Sequence, residues 1–226
     1  MRVLAIVPAY NESECLANTI AELRAACPDV DYVVVNDGST DDTAQICRDE
    51  GFNFIDLPVN TGLASAFRAG MKYALQHGYD AAVQFDSDGQ HVPTYIPLMA
   101  QTMEAEGASV VIASRNLAGE GAEGARAVGA RLIRALIRRT AHQEITDPTS
   151  GMRMYDRQMI ELFAKSFDLA PEPDIIALLI RRGAKVVEVP AHMRPRQGGT
   201  SYLRFASSIS YMARTCLSLL LFIWFR

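Results

Sequence analysis

The sequence predicts an α/β fold, a doubly wound and mostly parallel sheet with helices on both faces, and three observations carry that prediction. Short runs rich in Val, Ile and Phe alternate with longer stretches of helical periodicity through the first half of the chain. Glycines close the helical stretches at Gly51, Gly78 and Gly107, where a left-handed residue ends a helix at low cost. With 226 residues, 49% of them hydrophobic, the chain can bury one sizeable core but not two comfortable ones.

Taken in order, the first strand is expected over residues 2–7 and ends at Pro8, with a helix over 13–26. A second strand at 30–36 leads to a helix at 41–50 opened by Thr40, and a third at 52–56 leads to a helix at 62–76 opened by Thr61. The strand at 81–85 precedes a helix at 93–105 that starts on Pro93, and a fifth strand follows at 108–113. After Ser114 the alternation weakens, because Gly119, Gly121 and Gly124 interrupt a small-residue loop ahead of an arginine-rich helix at about 126–140. A strand at 152–155, helices at 156–165 and 173–182, a strand at 184–189, a Pro/Arg/Gly loop at 190–200 and a C-terminal helix from Tyr202 complete the chain. There is no internal repeat.

Bulk properties exclude several classes. A net charge of -4 argues against a nucleic-acid binder, whose affinity rests on basic excess. Cys15, Cys27, Cys47 and Cys216 form no CxxC pair, which points to a reduced chain rather than a zinc site. The run before Pro8 reads as a strand and not as a secretion signal, and the apolar stretch 216–225 is about half of the roughly 20 residues that cross a bilayer. No membrane span is expected.

In an open α/β sheet, ligands collect beyond the carboxyl ends of the strands, so residues that follow a strand carry functional weight. Strand one runs into Pro8-Ala9-Tyr10-Asn11-Glu12, and strand two into Asn36-Asp37-Gly38-Ser39-Thr40. Asp37 can accept from a base N–H while Tyr10 packs on the base plane; the alternative is that Asn11, Ser39 or Thr40 cap the following helices. The strand ending at Phe85 runs into Asp86-Ser87-Asp88-Gly89-Gln90-His91. Two carboxylates at i and i+2 on an extended segment point the same way and repel unless a divalent cation joins them, and hard oxygen donors suit Mg2+ or Mn2+. The alternative is a solvated acidic turn. Gly62, Ala66 and Gly70 place small residues on one helix face, which suits close packing. His91 is a less favoured ligand, since a lone imidazole is common at a helix start.

These residues resemble the family 2 glycosyltransferases of the GT-A fold, a Rossmann-like sheet, and among them the polyprenyl-phosphate sugar synthases of the dolichyl-phosphate mannose synthase type. The resemblance rests on VPAYNE at 7–12, NDGSTDDT at 36–43, NTGLASAFRAG at 60–70, DSDGQH at 86–91, SR at 114–115 and TDPTSGMR at 146–153, and it covers nearly the whole chain. It implies a nucleotide-sugar donor held by Pro8, Tyr10, Glu12 and Asp37, with Asn11 and Ser39 at the same rim. It also implies a metal, Mn2+ or Mg2+, held on the donor diphosphate through Asp86, Asp88 and Gln90. Developing charge on the leaving nucleoside diphosphate is what such an ion and nearby arginines stabilise. Arg115, Arg126 and Arg131 are the residues it places at an acceptor phosphate, with Ala130 standing where the family carries serine. Asp147 falls at the acceptor-side acid, a base if the nucleophile is a hydroxyl and a positioning group if it is a phosphate, or else a turn-forming Asp before Pro148. The loop with Arg194, Arg196, Gly199 and Ser201 is suited to gating a diphosphate, with Tyr202 where relatives often carry lysine; a plain surface loop is the alternative. Arg153 is expected to brace the TDPTSG loop.

Residues 126–139 hold five arginines and no acid, with Val128, Leu132, Ile133, Leu136 and Ile137 on an opposing stripe. Such a basic amphipathic helix lies at an anionic bilayer with its apolar face dipped in, although the same pattern also fits a core-packing helix with a solvated basic face. The C-terminal helix carries Ile209, Met212, Ala213, Cys216, Leu219, Leu220 and Ile223 on one side, with Phe222 and Trp224 suited to an interface, and wants either membrane or a second copy of the chain.

The expected organisation is a catalytic domain over 1–200, with a nucleotide- and metal-binding half to residue 113 and an acceptor half from 114, followed by a membrane-associated or oligomerising helix at 201–226. The expected activity is inverting transfer of a sugar from a UDP- or GDP-sugar to a polyprenyl phosphate for envelope glycan synthesis, at the cytoplasmic membrane face and as a peripheral protein. Two alternatives stand beside it: transfer to a saccharide hydroxyl with Asp147 as base, and a catalytically silent subunit that holds a nucleotide or partner. A dehydrogenase is disfavoured because the turn after strand one contains no GxGxxG.

Overall fold

The computed structural model describes residues 1–120, 124–195 and 205–221, and the side chains of 124–126, 205–211 and 213 lie outside that description. The strands are β1 (Val3–Ala9), β2 (Asp31–Asp37), β3 (Phe54–Leu57), β4 (Ala81–Gln84), β5 (Val110–Ser114), β6 (Arg153–Asp156) and β7 (Val186–Pro190). The helices are α1 (Leu16–Ala26), α2 (Thr43–Asp49), α3 (Leu63–Gln76), α4 (Tyr95–Glu106), α5 (Gly124–Ala141), α6 (Arg157–Lys165), α7 (Pro173–Arg181) and α8 (Phe205–Leu221). The described strands form one seven-stranded sheet in the order β3-β2-β1-β4-β6-β5-β7.

Pairing is parallel throughout except at β6, which runs antiparallel to both β4 and β5. The sequence indicates a strand there without its direction, since four residues carry no directional signal. Its insertion matters for the site. The chain climbs back to the carboxyl edge of the parallel strands before β6 descends, so residues 146–152 are delivered between the ends of β4 and β5.

Two apolar cores sandwich the sheet. One joins α3, α5, α6, α7 and α8 around Leu4, Ile6, Phe67, Tyr155, Phe163 and Leu219, while the other joins α1, α2 and α4 around Val7, Leu16, Cys47, Ile96 and Met99. Helices therefore cover both faces, as β-strands buried on both sides require. The amphipathic stripe of α5 divides. Ile133 and Ile137 are fully buried in the first core, whereas Val128 and Leu132 are 61% and 50% exposed. The core-packing alternative thus holds for half of the stripe, which α7 and α8 cover, and only the other half is open to a membrane. On α8, Leu219 is buried and Leu217, Leu220 and Leu221 are exposed. Phe222 and Trp224 lie outside the described residues.

On the small-residue face of α3, Gly70 packs against the central strand of the sheet. A Cβ at Gly70 would overlap Ile6 Cγ2 and sit 2.9 Å from Cγ1, and Ala66 is fully buried beside it. Gly62 has a different role, standing outside the helix as its N-cap at φ 86°. Gly70→Ala is expected to cost about 1–3 kcal/mol, because Ile6 in the central strand cannot retreat. A thermal melt of the variant at unchanged donor KM checks this.

Candidate active site

Three loops meet where β1, β2 and β4 end. Asn11, at φ 55°, donates its backbone N–H to Ser39 Oγ at 3.0 Å and accepts from the Thr40 N–H at 2.8 Å. Neither residue caps a helix. The N-caps of α1 and α2 are Cys15 and Asp42, so the capping alternative fails and these side chains stitch the first rim to the second. Thr40 and Thr61 are likewise not caps, and α4 starts from Thr94. Glu12 is buried and its backbone N–H donates to Thr43 Oγ1 at 3.0 Å. Tyr10 remains 41% exposed at the rim, free to stack.

Asp37 is only 3% exposed and already holds three donors: Thr61 N–H and Oγ1–H on one oxygen, and Gly62 N–H on the other, all at 2.8 Å. A carboxylate has about four acceptor positions, so one remains for a base N–H. Its structural role is to fix the start of α3. Gly38, at φ 64°, lets that loop lie against Val59 and Asn60, where a Cβ would overlap their backbone.

The third rim departs from the expected extended segment. The strand stops at Gln84 and residues 87–89 turn, so the directions of Asp86 and Asp88 are set by the turn and not by strand alternation. Ser87 anchors that turn, donating to the Pro8 carbonyl at 2.9 Å and accepting from Thr19 at 3.1 Å. Pro8 thus meets the acidic turn directly. Asp86 Oδ1 accepts from Gln84 Nε2, and its Oδ2 faces His91 Nε2 at 3.6 Å. The Asp86 N–H donates to His91 Nδ1 at 2.9 Å, which leaves the ring proton on Nε2 toward the carboxylate. Asp88 is buried and one of its oxygens accepts from the Gln90 N–H.

These residues fit a hard divalent ion. Gly151 leaves open the space beside Asp86, since a Cβ there would come within 2.9 Å of Oδ2. Among the described residues no three His, Cys, Asp or Glu side chains converge on one point. An ion held by Asp86 and Asp88 would therefore complete its shell with water and donor phosphate oxygens, the usual habit of Mg2+ with carboxylates. Gln90 is tied to Arg194, and any ion would have to meet its Oε1. Its side-chain amide donates to the Arg194 carbonyl at 3.3 Å, and the two residues also pair through their backbones.

On the other side of β4, Arg115 and Asp147 form a forked pair, Nε to Oδ2 at 2.7 Å and Nη2 to Oδ1 at 2.8 Å, with the Arg115 N–H on Oδ2 as well. Thr149 donates to Oδ1 at 3.1 Å. Burial pushes the Asp147 carboxyl up, but the Arg115 bonds and charge outweigh it and hold the group below the ordinary carboxylate range. The same bonds raise Arg115 against its own burial. Such an acid stays ionised and is a poor proton acceptor.

A cavity of about 310 Å3 opens here, lined by Arg115, Asn116, Glu120, Ala130, Arg131, Arg134, Asp147 and Thr149 among others. Its charges do not cancel. Asp147 neutralises Arg115, and Glu120 bonds to His192 and the Met193 N–H. Arg131 and Arg134 have no acidic partner among the described residues; they reach only the carbonyls of Ala127 and Thr146. With Glu120 on the wall as well, the cavity holds three arginines against two carboxylates.

Arg134 was not singled out from the sequence, although its place three residues after Arg131 puts both on one side of α5. Arg126 has no described side chain, and Arg196, Gly199 and Ser201 lie outside the described residues. Arg194, expected in the gating loop, has its guanidinium held at 2.8 Å by both oxygens of Glu22 on α1. Arg153 does brace its loop, donating to the Ser150 and Pro148 carbonyls.

The order of these loops along the chain matches the model of "Glycosyl transferase family 2" over residues 4–163. The chain belongs to that family. The transferase is 32% identical over 222 residues to an undecaprenyl-phosphate mannosyltransferase of Micrococcus luteus, covering 89% of this chain and 87% of that one. It is 30% identical over 213 residues to a polyprenol monophosphomannose synthase of Mycolicibacterium smegmatis, covering 88% and 80%. Its fold matches glucosyl-3-phosphoglycerate synthase of Mycobacterium tuberculosis, solved with Mn2+, UDP-glucose and phosphoglyceric acid, at a TM-score of 0.71. That match has 20% identity and covers 98% of this chain and 79% of that one. At such identity it establishes the GT-A-like sheet of the transferase and nothing finer.

Proposed function

We propose that this transferase moves a sugar from a nucleotide-diphosphate donor to a polyprenyl phosphate, with inversion at the sugar carbon. The observation that carries the reading is the cavity whose Arg131 and Arg134 lack acidic partners among the described residues while Asp147 is locked to Arg115. Three arginines against two carboxylates, with two of the arginines outside any ion pair, suit a phosphate monoester, which carries close to two negative charges above a second pKa of roughly 6. The named activities of the two bacterial relatives agree with that acceptor.

In this reading the first half of the chain, to residue 113, holds the donor. Tyr10 stacks on the base, Asp37 accepts from it, and Asn11, Glu12 and Ser39 fix the rim. Asp86 and Asp88 hold a divalent ion, which when bound neutralises charge on the leaving nucleoside diphosphate. From the acceptor half, Arg115, Arg131 and Arg134 grip the lipid phosphate and present one oxygen to the face of the sugar opposite the leaving group. No base is needed, because the nucleophile arrives ionised.

A phosphate on a lipid must be reached at a membrane. Leu117, Val128 and Leu132 are exposed and adjoin in sequence the cavity-lining Asn116, Ala127 and Arg131, and Leu217, Leu220 and Leu221 are exposed on α8. No described helix is long and apolar enough to cross a bilayer. The transferase is therefore read as docking peripherally, on the cytoplasmic face where nucleotide sugars are made, with self-association through α8 the competing use of its leucines.

The decisive experiment is a mass-spectrometric product search with the purified chain, Mn2+, UDP- and GDP-sugars and undecaprenyl phosphate. A sugar-phosphoryl lipid is the expected product; transfer only to saccharide hydroxyls would overturn the acceptor, and absence of any metal-stimulated donor hydrolysis would favour a silent subunit. Asp147→Asn separates the two acceptors further. With a phosphate nucleophile it is expected to raise the acceptor KM about tenfold and lower kcat by less than that. Loss of a true base would cut kcat by about 10²–10⁴.

A further inference from the structure

We infer that Glu188 is a positioning residue for the anion cavity: from the edge strand β7 it fixes Thr146 and Asp147, and through them aims Arg115. The inference rests on reading that cavity as the acceptor site. Glu188 interrupts the apolar strand Val186–Pro190 and pairs with Ile112, on the sheet face where Val186 and Ile112 are buried. A carboxylate in such a place calls for a physical reason, and no ion pair supplies one among the described residues.

Its partners are three donors from two neighbouring residues. Oε2 accepts from the Thr146 N–H at 2.7 Å, while Oε1 accepts from Thr146 Oγ1 at 3.0 Å and from the Asp147 N–H at 2.8 Å. Because the Thr146 hydroxyl proton goes to Glu188, its 2.8 Å contact with Ser114 must be donated by Ser114 Oγ, which itself accepts from the Leu117 N–H. The result is a one-way chain of donors from residues flanking Arg115 to the carboxylate of β7. Gln143 reinforces it from the same segment, donating to the Val186 carbonyl at 2.7 Å. With the Asp147 backbone held by Glu188, the Asp147 carboxylate meets the Arg115 fork at both oxygens and leaves that guanidinium little freedom.

A glutamine cannot replace this arrangement. Its amide has one acceptor oxygen, so either the Thr146 or the Asp147 N–H must face an NH2 group. In Glu188→Gln, exchange of the Arg115 Nε proton, read by NMR on 15N-arginine-labelled full chain, is expected to quicken about tenfold. The KM for undecaprenyl phosphate is expected to rise by a similar factor, with the donor KM unchanged. Adding Glu188→Gln to Asp147→Asn should bring no further loss, since both act through one contact. Thr146→Val, which removes only the hydroxyl link, gives a smaller shift in the same direction and serves if the glutamine variant does not fold.

Unchanged Arg115 exchange in a folded variant would overturn the inference, as would parallel rises in both KM values. Should exchange quicken while the wild-type chain uses no polyprenyl phosphate, the positioning role stands and the acceptor reading falls, because the NMR readout needs no acceptor.

Discussion

Asp88→Asn is expected to lower turnover by about 10²–10³, the scale of losing one group that stabilises charge as it forms. The substitution is nearly isosteric, and an asparagine oxygen can still accept from the Gln90 N–H, so the turn should survive. What disappears is charge beside Asp86. Metal-assisted donor binding should go with it, and titration of Mn2+ against a UDP- or GDP-sugar by calorimetry reads that directly. If the variant still bound donor with the same dependence on Mn2+, the acidic turn would have no part in holding the ion.

The second large effect is expected on the opposite side of β4. Removing Arg131 and Arg134 together should cut kcat/KM for polyprenyl phosphate by about a thousandfold, as each charge-assisted bond is worth roughly 1.5–3 kcal/mol. Slow hydrolysis of the donor without acceptor should stay near the wild-type rate, because neither arginine belongs to the donor rims. A drop in both activities would place these arginines at the donor diphosphate instead. Each single variant should lose about ten- to a hundredfold, and the cavity should then favour less charged acceptors.

The contrast between these two regions explains how far residues alone can be read. The acidic turn is visible because its chemistry is local: a buried strand ends, and polar residues follow within a few positions. Its geometry is not, since the strand stops at Gln84 and the turn is shaped by contacts from Pro8, Thr19 and Gly151. Gln90 and Arg194 illustrate the limit. Expected as a metal ligand and a gating residue, they instead bond to partners 104 and 172 positions away, Gln90 to the Arg194 backbone and the Arg194 guanidinium to Glu22.

Glu188 does leave a signal in the sequence, a lone carboxylate in the run Val-Val-Glu-Val-Pro. A charge at a strand position of that kind should prompt a search for donors. Arg134 is equally discoverable from its helical spacing to Arg131. The division of the α5 stripe is not, because Ile133 and Val128 are alike in sequence and only the placement of α7 and α8 decides which is covered.

By itself, the sequence determined the element order, the helices on both faces of a mostly parallel sheet, and the family, because periodicity and short loop motifs are properties of neighbouring residues. Tertiary structure alone decided that β6 runs backward between β4 and β5, and that this carries Asp147 to Arg115. It also decided which cations lack an acidic partner among the described residues. Charge balance depends on groups brought together across 32 to 73 positions of chain, and no local pattern encodes which of them will meet.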